Sequence, residues 1–386
     1  MFNGIIEPLN IQKSHEGCLK NLTFLAKDLL DVKGLVTGGG NPDWKRTHSE
    51  ALQNSPAIEA LLDEGARLTG KTVTDELAFS LDGLNMHFAI PHNPNFEGCI
   101  PGGSSSGSAA AVANGVCDLA LGTDTAGSIR VPAAYCGIYG MRPTHGRISL
   151  EGTIPLGTTF DTIGWMSRSL DLMNITGSVL LKEKCLEPRL RQIALLQDGL
   201  DLLEKDWHQS FLQKWRALSD MSVTMSELNE EAGLDSFSQS FNHARGFEAW
   251  RAHGKWYEEV HPLMNSSVEE RFLACATISE QEYHAALEKR KHSIERVNKK
   301  LQDLFILLPT IQKAPPKLDA SENELLVNRK ANILLNSLAS FCGLPQISLP
   351  YRHENHKFAL SLVGPQGSDM ELLALAIFIE RSDILA

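Results

Sequence analysis

Two segments rich in serine and glycine, together with one upstream lysine, are the residues of this chain best suited to nucleophilic chemistry. The segments are PGGSSSGS at 101–108 and GTDTAGSIRVP at 122–132, and the lysine is Lys27 in the run FLAKD. A serine hydroxyl attacks a carbonyl carbon efficiently only when a positioned base accepts its proton. Lysine can be that base when it is neutral, and burial lowers its pKa from the usual value of about 10.4. The neighbouring Leu25, Ala26 and Leu29 are consistent with an apolar setting of this kind.

Each of these features, taken singly, also has a structural explanation. Runs of serine and glycine usually form ordinary loops, and a lysine near a strand end is usually a solvated charge. The run GSSSG at 103–107 also fits the nucleophile elbow of the α/β-hydrolases, which would make Ser105 the nucleophile with a histidine as its base. We disfavour this alternative because no histidine follows in a suitable context and because it leaves Lys27 without a role.

The pattern of apolar residues predicts the elements that position these segments. An apolar run predicts a strand at 22–26 with Lys27 at its end, and helical spacing at 50–64 precedes a second strand at 67–74. The first Ser/Gly loop leads into an alanine-rich helix that ends at 114–115, and a strand at 116–121 leads into the second loop. Strands and helices therefore alternate, which predicts an α/β fold with a central mixed β-sheet covered by helices.

The rest of the chain predicts a helical cover and a return to the sheet. Residues 195–305 are rich in charge, and Trp207, Phe211, Trp215 and Leu218 stand at helical spacing. Apolar runs at 305–308, 345–350 and 358–363 predict further strands, and 369–380 predicts a last helix. Because no linker composition interrupts the chain, we expect one large domain over 1–386, with its core motifs in 22–170.

Composition excludes several classes of protein. The formal net charge of −11 and the pI near 5.6 disfavour a nucleic-acid partner, which normally requires a clustered basic surface. The first residues show no basic segment followed by an apolar run, and no stretch has the roughly 18 apolar residues of a membrane span. We therefore expect no membrane association and a cytoplasmic location.

The cysteines and histidines predict neither a disulfide framework nor a metal site. The chain has seven cysteines and no C-x-x-C pair, so we expect reduced and mostly buried thiols. His87, His92, His353 and His356 do not cluster with cysteines as the ligands of a zinc site do. We therefore expect no metal and no cofactor.

The two Ser/Gly segments and the sequence between them resemble the signature of the amidase signature family, the Ser-cisSer-Lys amidohydrolases. The similar region runs from GGSSSGSAAA at 102–111 through GTDTAGSIRVP to MRPTHGRIS at 141–149, and FLAKDLLDVKG at 24–34 matches the family's lysine pattern. Further similar runs are GKTVTDELAFS at 70–80, FDTIGWMSRS at 160–169, GLPQISLPYRHE at 343–354 and LSLVGPQGSDMELLALA at 360–376. The resemblance thus covers nearly the whole chain.

The resemblance implies a role for each matching residue. Ser128 would be the nucleophile, Ser104 the bridging serine that follows a cis peptide bond at Gly103, and Lys27 the base that takes the proton through Ser104. Backbone N–H groups of the loop would form the oxyanion hole, namely those of Thr125, Ala126, Gly127 and Ser128. Supporting positions are Gly103, Ser105, Asp124 and Arg130, of which Asp124 and Arg130 are expected to brace the loop through charged hydrogen bonds. Glycine is frequent in the family where this chain has Ser106 and Ala126.

The function implied by the resemblance is an amidohydrolase that cleaves the carboxamide C–N bond of a small molecule through a serine acyl-enzyme, releasing ammonia and a carboxylic acid. The run GGGNPDWKRTHSEA at 38–51 is similar to that of the plant indole-3-acetamide hydrolases and their bacterial relatives, although Trp44 could equally anchor a turn by packing. The partners expected for this protein are a small-molecule amide substrate and a second copy of the chain, with which it would form a homodimer.

Three alternatives stay open at this point. The first is a ureido-amide hydrolase of the allophanate or carboxybiuret type, for which no anion-binding residues can be assigned from the sequence. The second is the glutaminase subunit of a tRNA-dependent amidotransferase, which usually has a longer chain. The third is a non-catalytic interaction protein on the amidase fold, which the presence of Lys27, Ser104 and Ser128 argues against.

Overall fold

The computed structural model describes residues 3–205, 207–209, 211–212, 222–225, 234–302, 304–353 and 356–382, and its strands join one mixed sheet. The strands are β1 Ile5–Ile11, β2 Thr23–Lys27, β3 Arg67–Thr72, β4 Leu119–Asp124, β5 Tyr139–Arg142, β6 Thr162–Ser167, β7 Gln192–Leu196, β8 Ser222–Met225, β9 Leu304–Pro309, β10 Gln346–His353 and β11 His356–Val363. Their order across the eleven-stranded sheet is β1-β3-β2-β4-β6-β5-β10-β11-β9-β7-β8. The parallel pairs are β2 with β3, β2 with β4, β7 with β8 and β7 with β9.

Helices cover this sheet. They are α1 Pro42–Thr47, α2 Pro56–Asp63, α3 Ser106–Ala113, α4 Arg130–Cys136, α5 Leu170–Leu181, α6 Gln197–Leu200, α7 Leu234–Val260, α8 Ser266–Cys275, α9 Glu280–Leu301, α10 Glu322–Cys342 and α11 Asp369–Arg381, with a short 3₁₀ turn at Glu76–Ala78. Within the described part of the chain, no helix is both long and apolar enough to cross a bilayer. The observed architecture confirms the predicted α/β fold with a central mixed sheet.

Central strands such as β4 and β9 bury side chains on both faces, which explains their apolar runs. In β4, Leu119 and Leu121 enter the core that includes α2, α5 and α11, whereas Ala120 between them enters the core that includes α3 and α4. In β9, Ile306 and Leu308 pack in a third core with residues of α7, α9 and α10. Because successive side chains of a strand point to opposite faces, a strand that is covered on both faces buries consecutive positions, and the runs Leu119–Leu121 and Phe305–Leu308 are accordingly apolar throughout.

Most predicted elements are confirmed, and three are corrected. The helix predicted at 50–64 begins only at Pro56, because a proline restricts the residue before it to extended backbone and favours the first helical position. Strand β4 continues to Asp124, into the predicted loop, because Gly122 through Asp124 pair with β6. The same segment then enters α4 at Arg130, so the loop itself is only 125–129.

The third correction concerns the predicted helical cover at 195–305. Helices α7, α8 and α9 do fill 234–260, 266–275 and 280–301, but β8 also lies in this region and pairs with β7 at the sheet edge. Trp207 and Phe211 are buried, as their spacing predicted, whereas Trp215 and Leu218 lie outside the described residues. The short β8 was missed because a four-residue strand, SVTM, carries almost no periodic signal.

We expect Leu349→Ala to lower the free energy of unfolding by about 2 to 5 kcal/mol, because it leaves a cavity where a fully buried side chain packs in β10. Leu52→Ala is the matched control, since Leu52 is 90% exposed, and it should change stability by less than about 0.5 kcal/mol. Denaturant unfolding of both variants measures the difference. Equal losses in the two variants would contradict the assignment of β10 to the core.

Candidate active site

The carboxyl ends of parallel strands β2, β3 and β4 bring the predicted catalytic groups together. Lys27 is the last residue of β2 and lies opposite Thr72, the last residue of β3. On its other side β2 runs parallel to β4, which ends at Asp124 and continues into the loop that carries Ser128. Ser104 reaches the same edge from the loop before α3. Residues far apart in sequence therefore meet because parallel strands end at one edge of the sheet.

Lys27 is completely buried, and its ammonium group contacts hydroxyl groups. Its Nζ donates to the Oγ of Ser104 over 2.6 Å and to the Oγ1 of Thr123 over 2.8 Å. Burial lowers the pKa of Lys27 to about 7, against the opposing charges of Asp75, Asp124 and Asp161. A substantial fraction of Lys27 is therefore neutral near neutral pH and able to accept a proton.

Ser104 is held by a crowded stretch of backbone. The Gly103–Ser104 peptide bond is cis, as the resemblance implied, and the carbonyl of Ser104 accepts a hydrogen bond from the Asp75 N–H over 3.2 Å. A Cβ at position 103 would lie 2.2 Å from the Asp75 carboxylate, so only glycine fits there. Burial, with the nearby charge of Asp82, raises the pKa of Asp75 to about 6.

Asp124, the last residue of β4, holds the loop at 125–129 that follows it. The Asp124 carboxylate accepts hydrogen bonds from the N–H groups of Gly127 over 3.0 Å and of Ile129 over 3.1 Å. It also forms ion pairs with Arg130 over 2.7 Å and with Arg142 over 3.2 Å. Although burial opposes ionisation, the two guanidinium groups hold the pKa of Asp124 well below its usual range. Asp124 and Arg130 thus form charged hydrogen bonds at this loop, with Arg142 as an additional partner.

Ser128 lies at the end of this loop and lines a cavity of about 280 Å³ together with Ala126. Its carbonyl accepts a hydrogen bond from the Ser105 N–H over 3.2 Å, which ties the two Ser/Gly loops to each other. Among the described residues, the Ser128 hydroxyl has no hydrogen-bond partner, so the predicted Ser104–Ser128 step of the relay is not formed as a hydrogen bond here. Catalytic hydrogen bonds often tighten only when substrate is bound.

Two of the predicted site residues have other roles in the structure. The N–H of Gly127 donates to Asp124 and is not available for an oxyanion, whereas those of Thr125, Ala126 and Ser128 have no acceptor in the described chain. Ser105 is fully buried and its hydroxyl donates to the carbonyl of Thr123, so it cannot reach a substrate in the cavity. This contradicts the nucleophile-elbow alternative.

The GNPDW run forms a short capped helix. The side chain of Asn41 accepts hydrogen bonds from the N–H groups of Asp43 and Trp44, and Pro42 occupies the first helical position. The Trp44 ring stacks on His48 at 3.8 Å and meets Trp256 edge-on at 5.0 Å. Trp44 is therefore a packing anchor, and it is not among the residues that line the Ser128 cavity.

The cavity wall carries residues that the sequence analysis did not assign. Arg245 of α7, Arg271 of α8 and Arg329 of α10 line it, together with apolar side chains such as Phe79 and Ile333. No sequence signal could have grouped these arginines, since each lies on a different helix. Only the packing of the three helices around the cavity brings them together.

The thiols and the other side chains that could bind a metal do not cluster within the part of the chain that the structure describes. All seven cysteines are free, and Cys117, Cys136, Cys275 and Cys342 are buried. Over the residues that the structure describes, no group of three or more His, Cys, Asp and Glu side chains is arranged to hold a metal ion.

Comparison with known proteins finds similarity along nearly the whole chain. The model of the amidase family matches residues 8–194. Amidase 1 of Arabidopsis thaliana is 34% identical, and the match covers 97% of this chain and 97% of that protein. The chloroplastic outer envelope protein 64 of Arabidopsis thaliana is 33% identical over 92% of this chain and 65% of its own length. A crystal structure of an amidase has a TM-score of 0.85 at 29% identity, covering 95% of this chain and 86% of that chain.

We expect Asp124→Asn to destabilise the protein by about 3 to 5 kcal/mol, because it leaves the buried guanidinium groups of Arg130 and Arg142 without their counter-charge. Asp171→Asn is the matched control, since Asp171 pairs with Arg381 on the exposed surface and such pairs contribute little. Thermal and denaturant unfolding measure both. The bracing role of Asp124 fails if the two substitutions have equal effects.

Proposed function

This chain belongs to the amidase family, and on that basis we propose that it hydrolyses small primary carboxamides with Ser128 as nucleophile, Ser104 as bridging serine and Lys27 as base. The family acts on amide C–N bonds, and the products here would be ammonia and a carboxylic acid. The observation that carries the proposal is the buried hydrogen bond from Lys27 to Ser104, with the pKa of Lys27 lowered to about 7. A structural lysine would not be expected to combine full burial with two hydroxyl partners.

In the acylation step, the Oγ of Ser128 attacks the amide carbonyl carbon while its proton passes to Ser104 and the proton of Ser104 passes to neutral Lys27. The carbonyl becomes a tetrahedral oxyanion. When the C–N bond breaks, the relay runs in reverse and returns a proton to the leaving nitrogen, which departs as ammonia. The acyl group remains as an ester on Ser128, and Lys27 is neutral again.

In the deacylation step, a water molecule enters the position that ammonia has left. The relay removes a proton from this water, whose oxygen attacks the ester carbonyl carbon. The bond from carbon to the Oγ of Ser128 then breaks, and the serine recovers its proton from the relay. The carboxylic acid leaves, and the sum of both steps is amide plus water giving acid plus ammonia.

The oxyanion of both steps needs hydrogen-bond donors beside Ser128. The N–H groups of Ala126 and Ser128 are the best candidates, because both residues line the cavity and neither N–H is used elsewhere in the described chain. Gly127 contributes differently, since its N–H holds Asp124 and thereby fixes the conformation of the loop. Donors that are fixed before the reaction stabilise the developing charge without reorganisation.

The runner-up is a non-catalytic interaction protein on the same fold. One relative, outer envelope protein 64, is named for its location and not for an activity, and for this reason the alternative requires a test. Labelling by a fluorophosphonate probe distinguishes the two, because it requires an activated serine. The homodimer and the cytoplasmic location expected from the sequence stay predictions.

We expect Ser128→Ala to lower ammonia release at least about a thousandfold, because the attacking oxygen is lost. Ser105→Ala is the matched control from the neighbouring loop, and it should retain most of the activity. A panel of primary amides, scored for ammonia, measures both variants. Turnover that survives in pure Ser128→Ala protein would remove Ser128 from the proposed role.

The pH dependence should follow Lys27. Because Lys27 acts as a base only when neutral, and its pKa is about 7, we expect kcat/KM to rise as pH increases through about 7 and to level off above about 8. Lys27→Ala should lower kcat strongly and remove this rise. His48→Gln, His87→Gln and His145→Gln should keep the shape of the profile. The base assignment is wrong if Lys27→Ala keeps the wild-type profile or if one histidine variant alone erases the rise in a folded protein.

A further inference from the structure

Asp75 is a buried carboxylate beside the proposed relay, and the mechanism above does not use it. It follows β3, whose last residue Thr72 pairs with Lys27, and it is only 1% exposed. Its N–H donates to the carbonyl of Ser104 over 3.2 Å, which joins it to the loop before α3. A charge buried at this position needs a separate explanation.

The carboxylate of Asp75 has few hydrogen bonds. Its Oδ2 accepts from the N–H of Gly83 over 3.1 Å and lies so close to Gly103 that a Cβ there would clash. Its Oδ1 is buried and has no hydrogen-bond partner among the described residues. An unpartnered buried oxygen destabilises a folded protein, and more so when the group is charged. A purely structural carboxylate would be expected to have partners for both oxygens.

The three carboxylates that raise the pKa of Lys27 differ in how their own charge is balanced. Asp124 forms ion pairs with two arginines. Asp161 accepts hydrogen bonds from one hydroxyl and from two backbone N–H groups. Asp75 accepts one hydrogen bond from a backbone N–H, and its effect on Lys27 is the largest of the three. Asp75 is therefore the carboxylate whose charge is most available to Lys27.

The charged groups around Asp75 come from several elements. Lys27 of β2 favours the ionised form of Asp75, whereas Asp82 opposes it. Asp82 is itself paired with Arg329 of α10, and the charge of Asp75 also acts on Arg271 of α8. Because burial and Asp82 raise the pKa of Asp75 only to about 6, its carboxylate is mostly ionised at the pH near 7 where Lys27 changes its charge.

The first proton transfer of the proposed mechanism creates a buried charge. The O–H bond of Ser104 breaks, an N–H bond forms at the Nζ of Lys27, and Ser104 receives the proton of Ser128. Burial alone would disfavour the resulting ammonium group and would leave Lys27 a weak base. A fixed negative charge nearby stabilises the ammonium group as it forms, and this requires no direct contact where the dielectric constant is low.

We propose that Asp75 is a positioning residue whose negative charge sets the basicity of Lys27 and stabilises its ammonium form during proton transfer from Ser104. The inference rests on the proposed function, because it assigns Asp75 to the same relay. Asp75 is not among the residues that line the Ser128 cavity. It therefore acts through Lys27 and not on the substrate.

The titration of Lys27 tests this inference without requiring turnover. In protein labelled with ¹³C in its lysine side chains, the Cε signal of Lys27 should titrate near pH 7, and Lys27→Met identifies it by its loss. In Asp75→Asn we expect its midpoint to move to lower pH by about one pH unit or more, because the charged form loses its nearby carboxylate. An unchanged midpoint, or a shift to higher pH, overturns the inference.

Two further variants control this measurement. Asp369→Asn makes the same chemical change at an equally buried carboxylate of α11 that does not act on Lys27, so it should leave the midpoint in place. Asp75→Ser removes the charge with a smaller side chain, so the expected shift does not depend on how the protein accommodates an amide at this position. Thermal unfolding checks that each variant is folded.

The pH profile of ammonia release distinguishes an effect of charge from an effect on the fold. In Asp75→Asn the rise of kcat/KM should move to lower pH, and its plateau should lie at least about tenfold below that of the wild type, because Lys27 is a weaker base. A folded variant that loses activity but keeps the wild-type midpoint would show that Asp75 has only a structural role.

The two measurements also separate this inference from the proposed function. If the midpoint of Lys27 moves in Asp75→Asn while no amide is hydrolysed by the wild type, the effect of Asp75 on Lys27 stands and the amidase function fails. If amides are hydrolysed and Lys27→Ala removes the rise with pH, but Asp75→Asn keeps both midpoints, the amidase function stands and the role of Asp75 is wrong.

Discussion

The rest of the site depends on the buried ammonium group of Lys27 and on which groups contact it. In the proposed mechanism Lys27 acts as a base, which requires that no carboxylate contacts its ammonium group. In the described chain Asp75, Asp124 and Asp161 raise its pKa only from a distance. The neighbouring strand shows the opposite case, since the equally buried Lys71 forms an ion pair with Asp28 over 2.7 Å. If a carboxylate moved into contact with Lys27 in the same way, it would favour the charged form of the lysine. The site therefore requires that its carboxylates form hydrogen bonds and ion pairs with groups other than Lys27.

Asp124 is one carboxylate that pairs with groups other than Lys27. Two arginines and three backbone N–H groups hold it at the end of β4, so it contacts these groups and not Lys27, whose pKa it raises only from a distance. The arginine partner Arg130 in turn donates to Asn336 and Ser340 of α10 and to Gln346 of β10. The loop at 125–129 is thus braced by the C-terminal part of the chain. This explains why motifs near 340–350 belong to the same function as motifs near 104 and 128.

The sequence was enough to predict the strands and loops that carry the site residues. It was not enough to predict the hydrogen bonds and the tertiary grouping within the site. The apolar run before Lys27 predicted β2 and placed the lysine at its end, and the Ser/Gly composition predicted the loop before α3. The start of α2 and the end of β4 were misplaced because Pro56 and the pairing of β4 with β6 override the apolar pattern. The use of the Gly127 N–H by Asp124 depends on tertiary contacts, which no local spacing encodes. The same is true of the grouping of Arg245, Arg271 and Arg329 on the cavity wall.

One physical cause, burial, gives opposite results at Lys27 and on the cavity wall. Lys27 and the pair Arg245 and Arg271 are all cationic side chains without a carboxylate partner in the described chain. Lysine begins from a pKa of about 10.4, so burial brings it near neutrality, where it can exchange a proton. A guanidinium group begins much higher, so the same burial leaves it charged. In the proposed mechanism, burial thus allows Lys27 to act as a base, whereas Arg245 and Arg271 keep their charge on the cavity wall.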